Sequence, residues 1–166
     1  MKTLRFIGMA IVAIIMSVNF VACSDDDDDI DVSQLEGTWG LVRNVGWDDG
    51  EKDSWDDTHT PNSPCCGDCT KLIIKKISGN TYSVDLYYYD YDLSHNLYLA
   101  YYGNQTISIN GNTVTINKTN VDPGFFESDE NTTIEYLTSD KLAFRFKNEN
   151  TETEKFDVVM EFIRME

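Results

Sequence analysis

The 166-residue sequence predicts an all-β protein, an antiparallel up-and-down meander closing into a small barrel of about eight strands. Three observations carry that expectation. No long segment has helical period, and short runs rich in Val, Ile, Thr, Tyr and Phe recur instead. Several runs alternate apolar and polar residues, as a strand with one buried face does. Turn residues fall between them: Asn110-Gly111 and Gly79-Asn80 suit tight hairpins needing positive φ, and Ser139-Asp140 suits a further turn. A meander has two exposed edges, and closure into a barrel removes both.

Residues 1–22 read as a signal peptide. Lys2 and Arg5 give a positive start, and an apolar run from Phe6 to Met16 follows, broken by Ser17 and Asn19. A transmembrane helix is the competing reading, but the run is shorter than the roughly 20 apolar residues that span hydrocarbon, and an acidic block follows directly. Phe20-Val21-Ala22-Cys23 resembles the lipobox of bacterial lipoproteins. That resemblance implies acylation of Cys23, with chains such as palmitate, and a membrane partner held through this anchor. Each buried CH2 of an acyl chain contributes about 0.8 kcal/mol, so several chains on one residue hold a soluble domain to a bilayer. Ordinary cleavage leaving Cys23 as a free thiol is the alternative.

Residues 23–34 read as a tether. In Ser24-Asp25-Asp26-Asp27-Asp28-Asp29 the like charges repel and keep the chain extended. The run resembles the acidic export signal of surface-displayed lipoproteins of the Bacteroidetes type, which implies an outer-membrane, cell-surface location. A solvated spacer on the periplasmic face is the alternative. Calcium binding is disfavoured, because contiguous Asp residues without a loop-forming Gly do not build a closed oxygen cage.

Residues 35–166 form the expected barrel domain. The expected strands are Gly37–Val45, Lys71–Ser78, Thr81–Tyr89, Asn96–Tyr102, Gln105–Asn110, Thr113–Thr119, Thr132–Leu137, Lys141–Lys147 and Glu154–Met165. Alternation is cleanest near the C-terminus, where Phe156, Val158, Met160 and Phe162 share one face while Asp157 and Glu161 share the other. Leu142, Phe144 and Phe146 against Arg145 and Lys147 repeat the pattern, as do Val114 with Ile116 and Ile107 with Ile109. Gly37 and Trp39, in Leu35-Glu36-Gly37-Thr38-Trp39-Gly40-Leu41, resemble the Gly-x-Trp strand that opens lipocalins. The layout over residues 33–166 is similar to the small lipocalin-like domains of Bacteroidetes lipoproteins. It has a polar loop, Cys69 just before Leu72-Ile73-Ile74, successive hairpins and a closing aromatic strand. The resemblance implies that Trp39 plugs one barrel end and that the interior takes a small ligand. The far-end motifs and the C-terminal helix of larger lipocalins are missing.

Three features hold candidate chemistry. The segment Trp47 to Thr60, expected as a loop, interleaves Asp48, Asp49, Glu51, Asp53, Asp56 and Asp57 with Trp47 and Trp55. Carboxylates accept hydroxyl hydrogen bonds and indoles stack on sugar faces, so sugar or calcium binding competes with a solvated loop; the loop is favoured because Gly is not at the sixth position of an EF-hand. Cys65-Cys66-Gly67-Asp68-Cys69 offers a disulfide staple, Cys66 with Cys69 or Cys65 with Cys69. A metal site with His59 and a redox Cys66-x-x-Cys69 are weaker readings, since the ligands share one loop and a βαβ setting is absent. The third is tyrosine density: Tyr82, Val84, Leu86 and Tyr88 share a face as lining, with Tyr87, Tyr89 and Tyr91 opposite as an exposed strip. Trp47, Trp55, Tyr87, Tyr89 and Tyr91 are the candidate ligand contacts.

The formal charge of -16 excludes nucleic acid, which needs basic surface to displace counterions. His59 and His95 lie in polar settings, and no nucleophile elbow, phosphate loop or HExxH occurs. No catalytic site, metal or cofactor is expected. The sequence therefore predicts a lipid-anchored exported barrel that binds a small apolar or glycan ligand. The contrasting expectation is a non-catalytic structural or interaction module with a filled barrel, and the state of the Phe144, Phe146, Phe156 and Phe162 interior separates the two.

Overall fold

A computed structural model describes residues 30–49, 53–60, 71–120, 125–126, 131–149 and 155–166. The signal segment, Cys23 with the following Ser24–Asp29 run, and Cys65, Cys66 and Cys69 lie outside the described residues. A 3-10 turn, Val32–Gln34, precedes nine strands: β1 Gly37–Asp48, β2 Asp53–Thr58, β3 Lys71–Ser78, β4 Thr81–Tyr91, β5 Leu97–Asn110, β6 Thr113–Thr119, β7 Asn131–Leu137, β8 Lys141–Asn148 and β9 Phe156–Arg164.

All described pairings are antiparallel, and β1 meets β9 from Trp39↔Arg164 to Asp48↔Phe156. This closes β1 and β3 to β9 into an up-and-down barrel of eight strands with β2 as an addition. On its other edge β1 pairs with β3 over Gly37 to Gly40 and with β2 over Arg43 to Asp48, so β2 covers the stretch beyond the start of β3. The Trp47–Thr60 segment is thus not the loop expected from its charge. Residues 53–58 pair as β2 with the tail of β1, and Asp53, Asp56 and Asp57 are exposed, where a strand tolerates them.

The expected strands at Asn96–Tyr102 and Gln105–Asn110 are one strand, β5, since Gly103 pairs with Leu86 and the bulge beside it absorbs the irregularity. Beyond Tyr87 in β4 and before Gly103 in β5, the two strands pair only with each other among the described residues. They project as a two-stranded ribbon. Gly79 and Gly111 have φ of 51° and 59° in the hairpin turns where positive φ was expected.

The two barrel ends differ. One carries the 3-10 turn and the short hairpins at 78–81, 110–113 and 137–141; at the other lie the C-terminal ends of β1, β4, β6 and β8, with the β4–β5 turn at 92–96. The first end is sealed. Trp39 is fully buried and its indole Nε1 donates to the Leu35 carbonyl at 2.9 Å. The Arg164 guanidinium lies over the Trp39 ring at 4.3 Å and donates to the carbonyls of Gln34, Glu36 and Ser139. A Cβ on Gly37 would come 2.1 Å from Arg164 Nη1, so only glycine fits beneath the guanidinium.

The inward residues match the sequence periodicity: Leu72, Ile74, Tyr82, Val84, Leu86, Ile107, Ile109, Ile134, Leu142, Phe144 and Phe162 are all buried. Their outward neighbours form polar pairs. Arg145 holds Asp157 at 2.8 and 2.7 Å across β8 and β9, and Arg43 joins Asp56 of β2 to Glu161 of β9.

Candidate functional site

The loop-bearing end is where the barrel could meet a ligand, and its lining begins with β1. A bulge between Leu41 and Arg43 resets the alternation, so Arg43 pairs opposite outward Glu161 and Gly46 opposite inward Val158. Gly46 lies under the Trp55 indole, where a Cβ would meet Trp55 Cζ2 at 3.0 Å and the Asp157 carbonyl at 2.8 Å. Trp55 packs against the core, and its Nε1 donates to Asn44 Oδ1 at 3.0 Å. Trp47 pairs opposite Asp157 and is exposed. The two indoles therefore take opposite faces of the sheet and do not build one sugar platform.

Deeper in, the β6–β7 connection sends Phe125 and Phe126 into the barrel, where both are buried. Phe125 packs edge-on against Phe126 at 4.8 Å, Phe146 at 5.2 Å, Phe162 at 6.0 Å and Phe144 at 6.1 Å, and Phe126 meets Phe144 at 5.2 Å. Such edge-to-face pairs add about 0.5–1.5 kcal/mol each beyond area burial. The level of Phe144, Phe146 and Phe162 is filled, and Phe156 packs partly buried against it.

One polar side chain makes this packing feasible. Gln105, fully buried on β5 in the inward row with Ile107 and Ile109, accepts through Oε1 from the main-chain N–H of Phe125 at 3.0 Å and of Phe126 at 2.9 Å. Its Nε2 donates to the Phe126 carbonyl at 2.7 Å. Main-chain amides brought into an apolar interior need partners, and Gln105 supplies three bonds at once. Thr132 on β7, opposite Phe146, is also buried, and its Oγ1 has no hydrogen-bond partner among the described residues.

The ribbon of β4 and β5 carries the tyrosines. Tyr87, Tyr89 and Tyr91 pair in register with Tyr101, Leu99 and Leu97, and the Tyr87 and Tyr101 rings meet edge-on at 5.5 Å. On the other side Tyr88 packs against the core and against Tyr102 at 4.8 Å. Tyr91, Tyr98, Tyr101 and Tyr102 are exposed, whereas Tyr87 and Tyr89, expected in the exposed strip, are half-buried, Tyr87 beneath its cross-strand partner ring. The ribbon tip is fixed by Asp92, whose Oδ1 accepts from the N–H groups of Ser94 and Asn96, both at 2.8 Å. These bonds, the one from Asn96 foremost, hold the Asp92 carboxyl below its usual range. His95 sits in this turn at a φ of 62°.

No group of three His, Cys, Asp or Glu able to hold a metal occurs among the described residues, and the cysteines lie outside them. The main-chain N–H of His59 donates to the Val42 carbonyl at 2.7 Å. Tyr136, on the outer wall, has its phenol pushed up to about 12 by burial and then by the adjacent Glu161 carboxylate. It lies on the opposite side of the sheet from the buried aromatic interior.

No family model and no curated protein matches the sequence. Among solved structures the chain is similar to lobster apocrustacyanin A1, with 9% identity and a TM-score of 0.46 over 81% of this chain and 63% of that one. It is similar to the bovine lipocalin allergen Bos d 2, with 13% identity and a TM-score of 0.45 over 82% of this chain and 76% of that one. A redesigned β-barrel matches with 10% identity and a TM-score of 0.38 over 81% of this chain and 95% of that one. The chain thus spans less than two thirds of the crustacyanin length, and its description as a closed β-barrel rests on its own strand pairing.

Proposed function

We propose that this chain is a lipid-anchored, exported, non-catalytic binding module that meets a glycan through the tyrosine-rich ribbon at its open end. The observation that carries this reading is the contrast between a barrel interior filled by Phe125 and Phe126 and a projecting ribbon with Tyr91, Tyr98, Tyr101 and Tyr102 exposed. Side chains that fill a small barrel leave its outside for recognition, and clustered exposed aromatics mark contact surfaces. Tyrosine offers a flat apolar face and a hydroxyl, which suits the two-sided chemistry of a sugar. A neutral glycan also fits a chain of charge -16 that repels polyanions.

The anchor is acylated Cys23, followed by the acidic run Asp25 to Asp29 as tether and surface-export signal. Ile30 packs against the core, and the Tyr82 hydroxyl donates to the Val32 carbonyl at 3.1 Å, so the chain enters at the end sealed by Trp39. An anchor upstream of Ile30 would turn the ribbon away from the bilayer.

A glycan array probed with the wild-type domain and with the Tyr91→Ala/Tyr101→Ala variant tests the surface. The expected result is binding to a defined glycan class, weakened at least tenfold in the variant, in keeping with about 1 kcal/mol or more per lost aromatic contact. Binding by neither protein, or equal binding by both, overturns the reading. The anchor is tested separately. Cys23→Ala is expected to move the protein to the soluble fraction, and Ala at positions 25–29 to remove protease accessibility on intact cells.

A further inference from the structure

The filled interior has an unusual origin. The rings at its centre come from a connection, not from the barrel wall, and they bring main-chain amides with them. Wall side chains alone can fill a small barrel without burying a connection's backbone, which always carries groups that need partners. Here Gln105 reads both N–H groups and one C=O of a single dipeptide, as a neighbouring strand would. Phe144, Phe146 and Phe162 supply the walls around its rings.

We propose that Phe125-Phe126 is an internal ligand in a recognition site made by Gln105, Thr132, Phe144, Phe146 and Phe162, and that this site takes a peptide bearing two adjacent aromatic residues in its place. The chemistry of the site selects that class. The side-chain amide of Gln105 matches a peptide unit in donor and acceptor count, and the phenylalanine walls match rings edge-on. Thr132 gives the second, independent sign: the residue is 3% exposed, sits on β7 opposite Phe146, and its hydroxyl has no hydrogen-bond partner among the described residues. A buried polar group normally has a partner, so the resident dipeptide satisfies the site incompletely and an incoming peptide has one more bond to make. Because the resident is covalently attached, its effective concentration is of the order of mM, and a free peptide has to compete against that.

This inference stands apart from the glycan surface, and its test reads a different place. Wild type and the Phe125→Gly/Phe126→Gly variant are titrated with N-acetyl-Phe-Phe-amide, with circular dichroism and cooperative unfolding reporting the fold. The variant is expected to bind the peptide at least tenfold more tightly than wild type. Adding Gln105→Met in that background is expected to weaken peptide binding at least tenfold while leaving binding of 1,2-diphenylethane, which has rings but no amide, within twofold. A folded Gly/Gly variant that binds no better than wild type overturns the proposal. So does a hydrocarbon probe that binds as well as the peptide, which would make the site merely apolar. Should the Gly/Gly variant fail to fold, the milder Phe125→Ala/Phe126→Ala variant removes the same two rings while keeping Gln105, and it is expected to bind the peptide at least tenfold more tightly than wild type. No gain there, or failure of both variants to fold, makes Phe125-Phe126 plain core and overturns the proposal.

Discussion

Gly37 is the residue on which the sealed end turns. Its missing Cβ leaves room for the Arg164 guanidinium, which spans the Trp39 ring and holds three main-chain carbonyls. Gly37→Ala is expected to cost about 2 kcal/mol, since the methyl group overlaps a planar cation that cannot bend away without losing its bonds. Urea unfolding checks this, and a change under about 0.5 kcal/mol would show that Arg164 relocates freely. The Gly-x-Trp pair was legible because two distinctive residues stand two positions apart at a strand start. Arg164 was not, because its partner Glu36 is 128 residues away and an arginine ending an amphipathic strand reads as solvated. Gln105 was taken as an ordinary strand residue for the same reason, and the two phenylalanines it serves lay between expected strands.

Among the elements, the β8–β9 pair shows how the outer wall responds to pH. The Arg145 guanidinium holds the Asp157 carboxyl below its usual range. A depressed folded pKa means stability that is full above the unfolded value of about 4 and lost as pH falls through the folded value. Asp157→Asn is expected to lower stability at pH 7 by about 1 kcal/mol, with the deficit shrinking below about pH 4. Denaturant midpoints across pH 2–7 check it; a deficit that persists at pH 2 would assign the loss to packing instead. Periodicity exposed β8 and β9 because each has one wet and one dry face. It missed β2, whose only inward anchor is Trp55, and which forms because the tail of β1 offers a vacant edge, a feature of tertiary arrangement and not of local composition. It split β5 at Gly103 because a glycine next to a bulge looks like a turn.

For the whole molecule, the charge of -16 acts against compactness, and the pairs centred on Arg43 and Arg145 offset only part of it. Raising NaCl from about 10 mM to about 0.5 M is expected to raise the melting midpoint by about 3 °C through screening. A fall instead would mean that attractive pairs outweigh the repulsion. The joining of β1 to β9 has a kinetic consequence. Arg43 must find Glu161, 118 residues further along, and a ring whose first and last strands are neighbours closes only when its final strand arrives. Such distant partners place refolding on the scale of about milliseconds to seconds. Until that last pairing forms, β1 and β8 both present bare edges, so the interval before closure is when one chain is most prone to capture the strand of another.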